Sequence, residues 1–129
     1  FRPRLQAFIE LGHKYQAKVM LHSCGSNRDL IPTWIEMGLD IYQAVQVEAV
    51  GMDPDELFRE FGNDITFHGM IGLQGVLPHG SPEDVRREVR ARINASKGTG
   101  YILAPAHNVQ PDVPMDNLCA IYAEARCDC

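Results

Sequence analysis

The chain has 129 residues, the size of one ordinary domain. Its content of 45% hydrophobic and 22% charged residues excludes a disordered or coiled-coil chain, and a net charge of −5 argues against a nucleic-acid or anionic-membrane surface. No apolar run approaches the roughly 20 residues that span a bilayer. The chain opens at Phe1 with neither an initiator Met nor an apolar leader, which reads as a piece of a longer polypeptide. Cys24, Cys119, Cys127 and Cys129 show no regular disulfide spacing, which points to a reducing, cytoplasmic compartment.

Arg2-Pro3 opens a helix running to about residue 16, with Leu5, Phe8 and Ile9 on its inner face. A strand follows over 18–21, then a polar turn over 23–27 and a helix over 29–37 that Gly38 stops. Residues 41–45 form a second strand. Asp53 caps the next helix, with Glu56 as the reciprocal partner of its capping box and Leu57, Phe58 and Phe61 as its apolar stripe. The third strand covers 65–67 and leads into a Gly-rich loop over 69–80. Ser81-Pro82-Glu83 begins a helix to residue 97 whose Val85, Val89 and Ile93 face inward. The fourth strand covers 101–103. Pro114 starts a terminal helix with Leu118, Ile121 and Tyr122 inward and Cys119 as a small core residue.

Strands alternating with helices imply an α/β fold with parallel strands and right-handed crossovers, one domain over 1–129. Four such units fit an open doubly wound sheet or half of an eight-stranded (β/α)8 barrel. No Gly-x-Gly-x-x-Gly follows any strand, so the half-barrel is the better reading.

In either architecture the chemistry gathers at the carboxyl ends of the strands. There the sequence places His22 and Cys24 after the first strand, Gln46 and Glu48 after the second, His68 after the third with Gln74 beyond it, and His107 after the fourth. Residues two apart in an extended segment point the same way, so His22 and Cys24 are able to meet one ion. Nitrogen and thiolate donors suit zinc, with His107 as a candidate third ligand. Spacing alone equally allows small polar residues lining a strand end. His68 is a candidate general acid or base, and Gln46, Glu48 and Gln74 are candidate substrate-binding residues. His13, on a helix, and His79, in a loop, face solvent. Cys127-Asp128-Cys129 reads as a frayed tail, and the Asn94-Ala95-Ser96 glycosylation pattern falls within a helix.

Several separated motifs go further. Leu21-His22-Ser23-Cys24-Gly25, Gly51-Met52-Asp53-Pro54, Phe67-His68-Gly69, the Ser81-Pro82-Glu83-Asp84-Val85 helix start and Tyr101-Ile102-Leu103-Ala104-Pro105-Ala106-His107-Asn108 occur in this order. Together they resemble the carboxy-terminal half of the uroporphyrinogen decarboxylase superfamily, which includes haem-pathway decarboxylases and zinc-dependent methyltransferases of corrinoid pathways. The resemblance implies a (β/α)8 barrel of which this chain supplies the last four units. It is closest to the methyltransferase branch, whose members use a His-x-Cys pair and a distant third ligand, usually cysteine. His22 and Cys24 match the pair, and His107 stands where the cysteine is expected. A second departure is Gly72, in a segment where relatives commonly read Gly-Gly-Ile-Asp.

What the resemblance implies for function is a metal-held substrate thiolate that takes a methyl group from a corrinoid carried by a partner protein. Zinc and methyl-corrinoid are then the cofactors. The partners are a small-molecule substrate, a corrinoid protein, and either an amino-terminal half-barrel or a second copy in a dimer. A decarboxylase-like lyase of porphyrin biosynthesis and a non-catalytic half-barrel assembly module are the alternatives. On the first two readings the 129-residue chain by itself is catalytically incomplete.

Overall fold

The computed structural model describes residues 1–126. Strands β1 (Met20–His22), β2 (Ile41–Val45), β3 (Thr66–Ile71) and β4 (Tyr101–Pro105) form one sheet in the order β1-β2-β3-β4, with every neighbouring pair parallel. Because each crossover returns to the adjacent strand and the order never reverses, the sheet has the topology of half a (β/α)8 barrel. Helix α1 (Arg2–Lys14) precedes β1, and α2 (Ile31–Glu36) follows it after a 3-10 turn over Arg28–Leu30. Then come α3 (Pro54–Phe61) after β2, α4 (Val76–His79) and α5 (Pro82–Ser96) after β3, and α6 (Met115–Ala125) after β4. No helix among the described residues is long and apolar enough to cross a membrane.

The period of two along a strand divides the sheet into two faces. In register, Leu21, Tyr42, Phe67 and Tyr101 form one row across the four strands. That row meets the helices: Tyr42 and Phe67 are fully buried, and their rings join those of Trp34, Phe58 and Tyr101 at centroid separations of 4.9–6.3 Å. The alternate row is His22, Gln43, His68 and Ile102, on the face that a closed barrel turns inward. A second apolar cluster of Ile71, Leu77, Val85, Val89, Ala120 and Ile121 lies between α4, α5 and α6. Buried Asn117 crosses it, its amide donating to Leu77 O at 2.9 Å and Gly80 O at 2.8 Å.

Local chemistry explains the helix starts. Asp53 accepts from the Glu56 N–H at 3.0 Å, yet the reciprocal half of the expected box is absent because the Glu56 carboxylate pairs with Arg28 instead. Ser81 and Asp84 do complete a capping box at the start of α5. Other expectations need correction. Phe8 is 69% exposed, and Tyr122 and Cys119 are exposed too. On these amphipathic helices the buried stripe is narrow, with only Ile9 of α1 and Asn117, Ala120 and Ile121 of α6 buried. β3 runs to Ile71 rather than stopping at residue 67, and the Gly-rich loop contains α4, which ends at His79. Cys127, Asp128 and Cys129 lie outside the described residues.

Asp40, just before β2, joins three segments. Its carboxylate accepts from Lys18 Nζ at 2.7 Å and the Val19 N–H at 2.9 Å, and lies 2.7 Å from His13 Nε2 on α1. Burial pushes its pKa up, but these hydrogen bonds outweigh burial and bring it from 3.8 down to about 2. A depressed carboxyl stabilises the fold above its unfolded pKa, and that contribution fades as pH falls from about 4 towards 2. Asp40→Asn is therefore expected to destabilise by roughly 1 kcal/mol near pH 6, with the gap to wild type closing by pH 2. Urea midpoints across that range check it, and a pH-independent gap would refute the assignment.

Candidate functional site

The loop after β1 is held from two sides. Below it, buried Asn27 donates to Ser23 O at 3.2 Å and Cys24 O at 2.9 Å, and its amide also contacts the Tyr42 hydroxyl at 3.1 Å. From the second strand side, Gln46 Oε1 accepts the Gly25 N–H at 2.8 Å, and Gly25 adopts a φ of +89° that its missing Cβ permits. Thus fixed, the loop sets His22 Nε2 3.2 Å from Cys24 Sγ. The His22 and His107 rings meet edge to face with centroids 5.2 Å apart. One donor atom each from His22, Cys24 and His107 lies within 4.8 Å of the others, on segments up to 85 residues apart in sequence. The structure therefore brings together the three residues that spacing alone left as candidates.

Backbone irregularities carry these ends into place. The β2–β3 register shifts between Gln43 and Val45, where Ala44 takes a φ of +69°. In β3, Gly69 has a φ of +118°, and a Cβ there would come 3.2 Å from Ala106 Cα. Glycine at this position lets the end of β4, and with it His107, approach β3 closely.

The protonation pattern bears directly on metal binding. His22 Nδ1 lies 2.5 Å from the amide oxygen of Gln43, which only accepts, so Nδ1 carries the proton and the Nε2 lone pair faces Cys24. His107 Nδ1 accepts the Asn108 N–H at 2.7 Å. Ligation through Nδ1 of His107 would replace that hydrogen bond, a cost of about 1 kcal/mol. The donor set of two imidazoles and one thiol, half-buried or exposed, fits zinc.

The remaining expected residues fall elsewhere. His68 lies within β3, not beyond it, because the strand continues for three more residues to Ile71. It sits beside Gln43 in the inward row, half-buried, with Nδ1 buried and unpartnered among the described residues. Burial pushes its pKa below 6.5, favouring the neutral ring. Glu48 Oε1 accepts the Gln74 N–H at 3.0 Å, so these two residues pair with each other across the rim. A Cβ on Gly72 would lie 2.6 Å from the same oxygen, so a side chain there would displace the Glu48 carboxylate. Gln46 braces the loop. Gln43 and Asn27 were not singled out in the sequence, although a glutamine within the apolar run of β2 is a legible sign of an inward polar position. A cleft of about 450 Å³ opens among Lys18, Asp40, Thr66 and Ile102 at the amino ends of the strands, opposite the donor cluster.

Comparison with known proteins agrees with this architecture. The family model described as uroporphyrinogen decarboxylase (URO-D) matches residues 2–126. The chain is 29% identical over 115 residues to a methylated-thiol–coenzyme M methyltransferase of Methanosarcina mazei, covering 88% of this chain and 29% of that protein. A solved structure of a methyltransferase from Methanosarcina mazei superposes with a TM-score of 0.78 at 20% identity, over 98% of this chain and 35% of that one. The chain thus spans roughly a third of the length of each, at 29% and 35%. With a family match along nearly its whole length and the sheet order of half a (β/α)8 barrel, the chain belongs to the uroporphyrinogen decarboxylase family.

Proposed function

We propose that this chain forms part of a zinc-dependent methyltransferase that moves a methyl group from a corrinoid protein to a small-molecule thiol. The observation that carries the reading is the convergence of His22, Cys24 and His107 donor atoms within 4.8 Å at the carboxyl end of the sheet. Three protein ligands leave one position for substrate, the usual arrangement of a catalytic rather than a structural zinc. Zinc held there supplies Lewis acidity, which keeps a bound thiol deprotonated at neutral pH.

The chain's own residues do the rest. Asn27 and Gln46 hold the His22–Cys24 loop rigid, so little ordering is left to be done on binding. His68, kept neutral by burial, is the general base suited to take the proton that the thiol gives up. The Glu48–Gln74 pair shapes the rim against which substrate lies. The corrinoid protein docks over this rim. The rest of the barrel mouth comes from outside these four units, as an amino-terminal half-barrel or a second copy. A reducing cytoplasm keeps Cys24 available as a ligand.

Elemental analysis of the purified chain tests the reading. About one zinc per chain is expected in wild type, and its loss in His107→Ala. A zinc-free wild type after incubation with micromolar zinc would overturn it and turn attention to a carboxy-lyase of the same family.

A further inference from the structure

We infer that Gln43 is a positioning residue that presets His22 for metal, by holding the ring in the Nδ1–H tautomer before any ion arrives. The inference rests on the zinc reading of the site and adds to it a residue outside the ligand set. Gln43 is half-buried on the inward row, directly in register with His22. Its amide oxygen lies 2.5 Å from His22 Nδ1. An amide oxygen has no proton to give, so this contact exists only when Nδ1 carries the hydrogen. The lone pair is then confined to Nε2, the nitrogen that lies 3.2 Å from Cys24 Sγ. In solution a neutral imidazole distributes between two tautomers, and a ring in the wrong one must exchange its proton before it can ligate. A partner on the far nitrogen removes that step and fixes the ring plane.

The geometry of β2 supports a dedicated role. Gln43 lies in β2 and Gln46 directly follows its last residue, three positions on, an odd spacing that would put them on opposite faces had the strand run on regularly. Both nevertheless reach the ligand segment, Gln43 at His22 on the end of β1 and Gln46 at the Gly25 N–H of the loop that follows. The extra residue of the bulge at Ala44 makes this possible, at the expense of a left-handed φ of +69° on a non-glycine residue. The end of β2 and the residue after it thereby hold the ligand ring and the ligand loop at once.

The test reads tautomer and affinity separately. Nitrogen-15 shifts of the metal-free wild type are expected to show His22 protonated at Nδ1, and zinc titration should give a single strong site. Gln43→Leu keeps the side-chain bulk but removes the acceptor. It is expected to shift His22 towards the Nε2–H form and to weaken zinc about 10- to 100-fold. Gln43→Glu restores an acceptor and should return both readouts towards wild type, which a merely structural role would not predict. A wild-type ring protonated at Nε2, or a Gln43→Leu chain with unchanged tautomer and affinity, would overturn the inference. An Nδ1–H tautomer that is lost in Gln43→Leu, in a wild type that takes up no zinc, would sustain the positioning by Gln43 and overturn the zinc reading alone.

Discussion

Cys24→Ser is expected to raise the dissociation constant for zinc about 100- to 1,000-fold while leaving the fold intact. Zinc bound by four protein ligands is held by roughly 10–16 kcal/mol, so one ligand among them accounts on average for about 2.5–4 kcal/mol. A serine hydroxyl does not replace it, because it stays protonated at neutral pH and is a harder, weaker donor. The structural cost is small. Cys24 is exposed, and the contacts that hold its loop, from Asn27 to Ser23 and Cys24 carbonyls and from the Gly25 N–H to Gln46, all involve backbone groups of the loop rather than the thiol. Competition against a chromophoric chelator measures the affinity, and circular dichroism reports the fold. A change of less than about threefold would show that Cys24 is not a ligand.

Phe67→Ala is expected to destabilise the chain by about 3–5 kcal/mol, a large share of the total stability of a domain this size. Phe67 is fully buried at the centre of the sheet's outer face. Its ring meets those of Tyr42 at 6.3 Å and Phe58 at 5.6 Å, both edge to face, and so joins β2, β3 and α3. Truncation would open a cavity between two strands and a helix whose backbones are pinned by the parallel ladder, which leaves little room to collapse. Urea denaturation measures the loss. Because Phe67 stands in the helix-facing row and His22 in the alternate row, zinc affinity in the folded fraction should change little, which separates a packing role from a site role. A loss below about 1 kcal/mol would mean that the neighbouring rings close the gap.

The two faces of the sheet were unequally legible in the sequence. The helix-facing row of Leu21, Tyr42, Phe67 and Tyr101 declared itself through apolar strands separated by capped helices. The inward row did not, because its residues are mixed in character and sit at alternate positions. Phe8, Tyr122 and Cys119 are exposed against the sequence expectation for a related reason: helical spacing finds an apolar stripe but not how much of it a neighbour covers. A glycine ordinarily marks a strand end, which puts His68 beyond β3 in the sequence, whereas here positive φ at Gly69 and Met70 accompanies a strand that continues to Ile71.

By itself the sequence determined the element order and the parallel alternation, and it nominated His22, Cys24 and His107 as candidate donors, since these depend on local periodicity, capping and residue chemistry. Tertiary structure alone decided three other things: that His107 comes to His22 across 85 positions, that Gln43 rather than a rim residue holds the His22 ring, and that Glu48 and Gln74 pair with each other. Each of these depends on strand register, on the bulge at Ala44 and on the positive-φ backbone at Gly69 and Met70. A single inserted residue reverses which face a side chain joins, and no pattern along one strand reveals which neighbour it will meet.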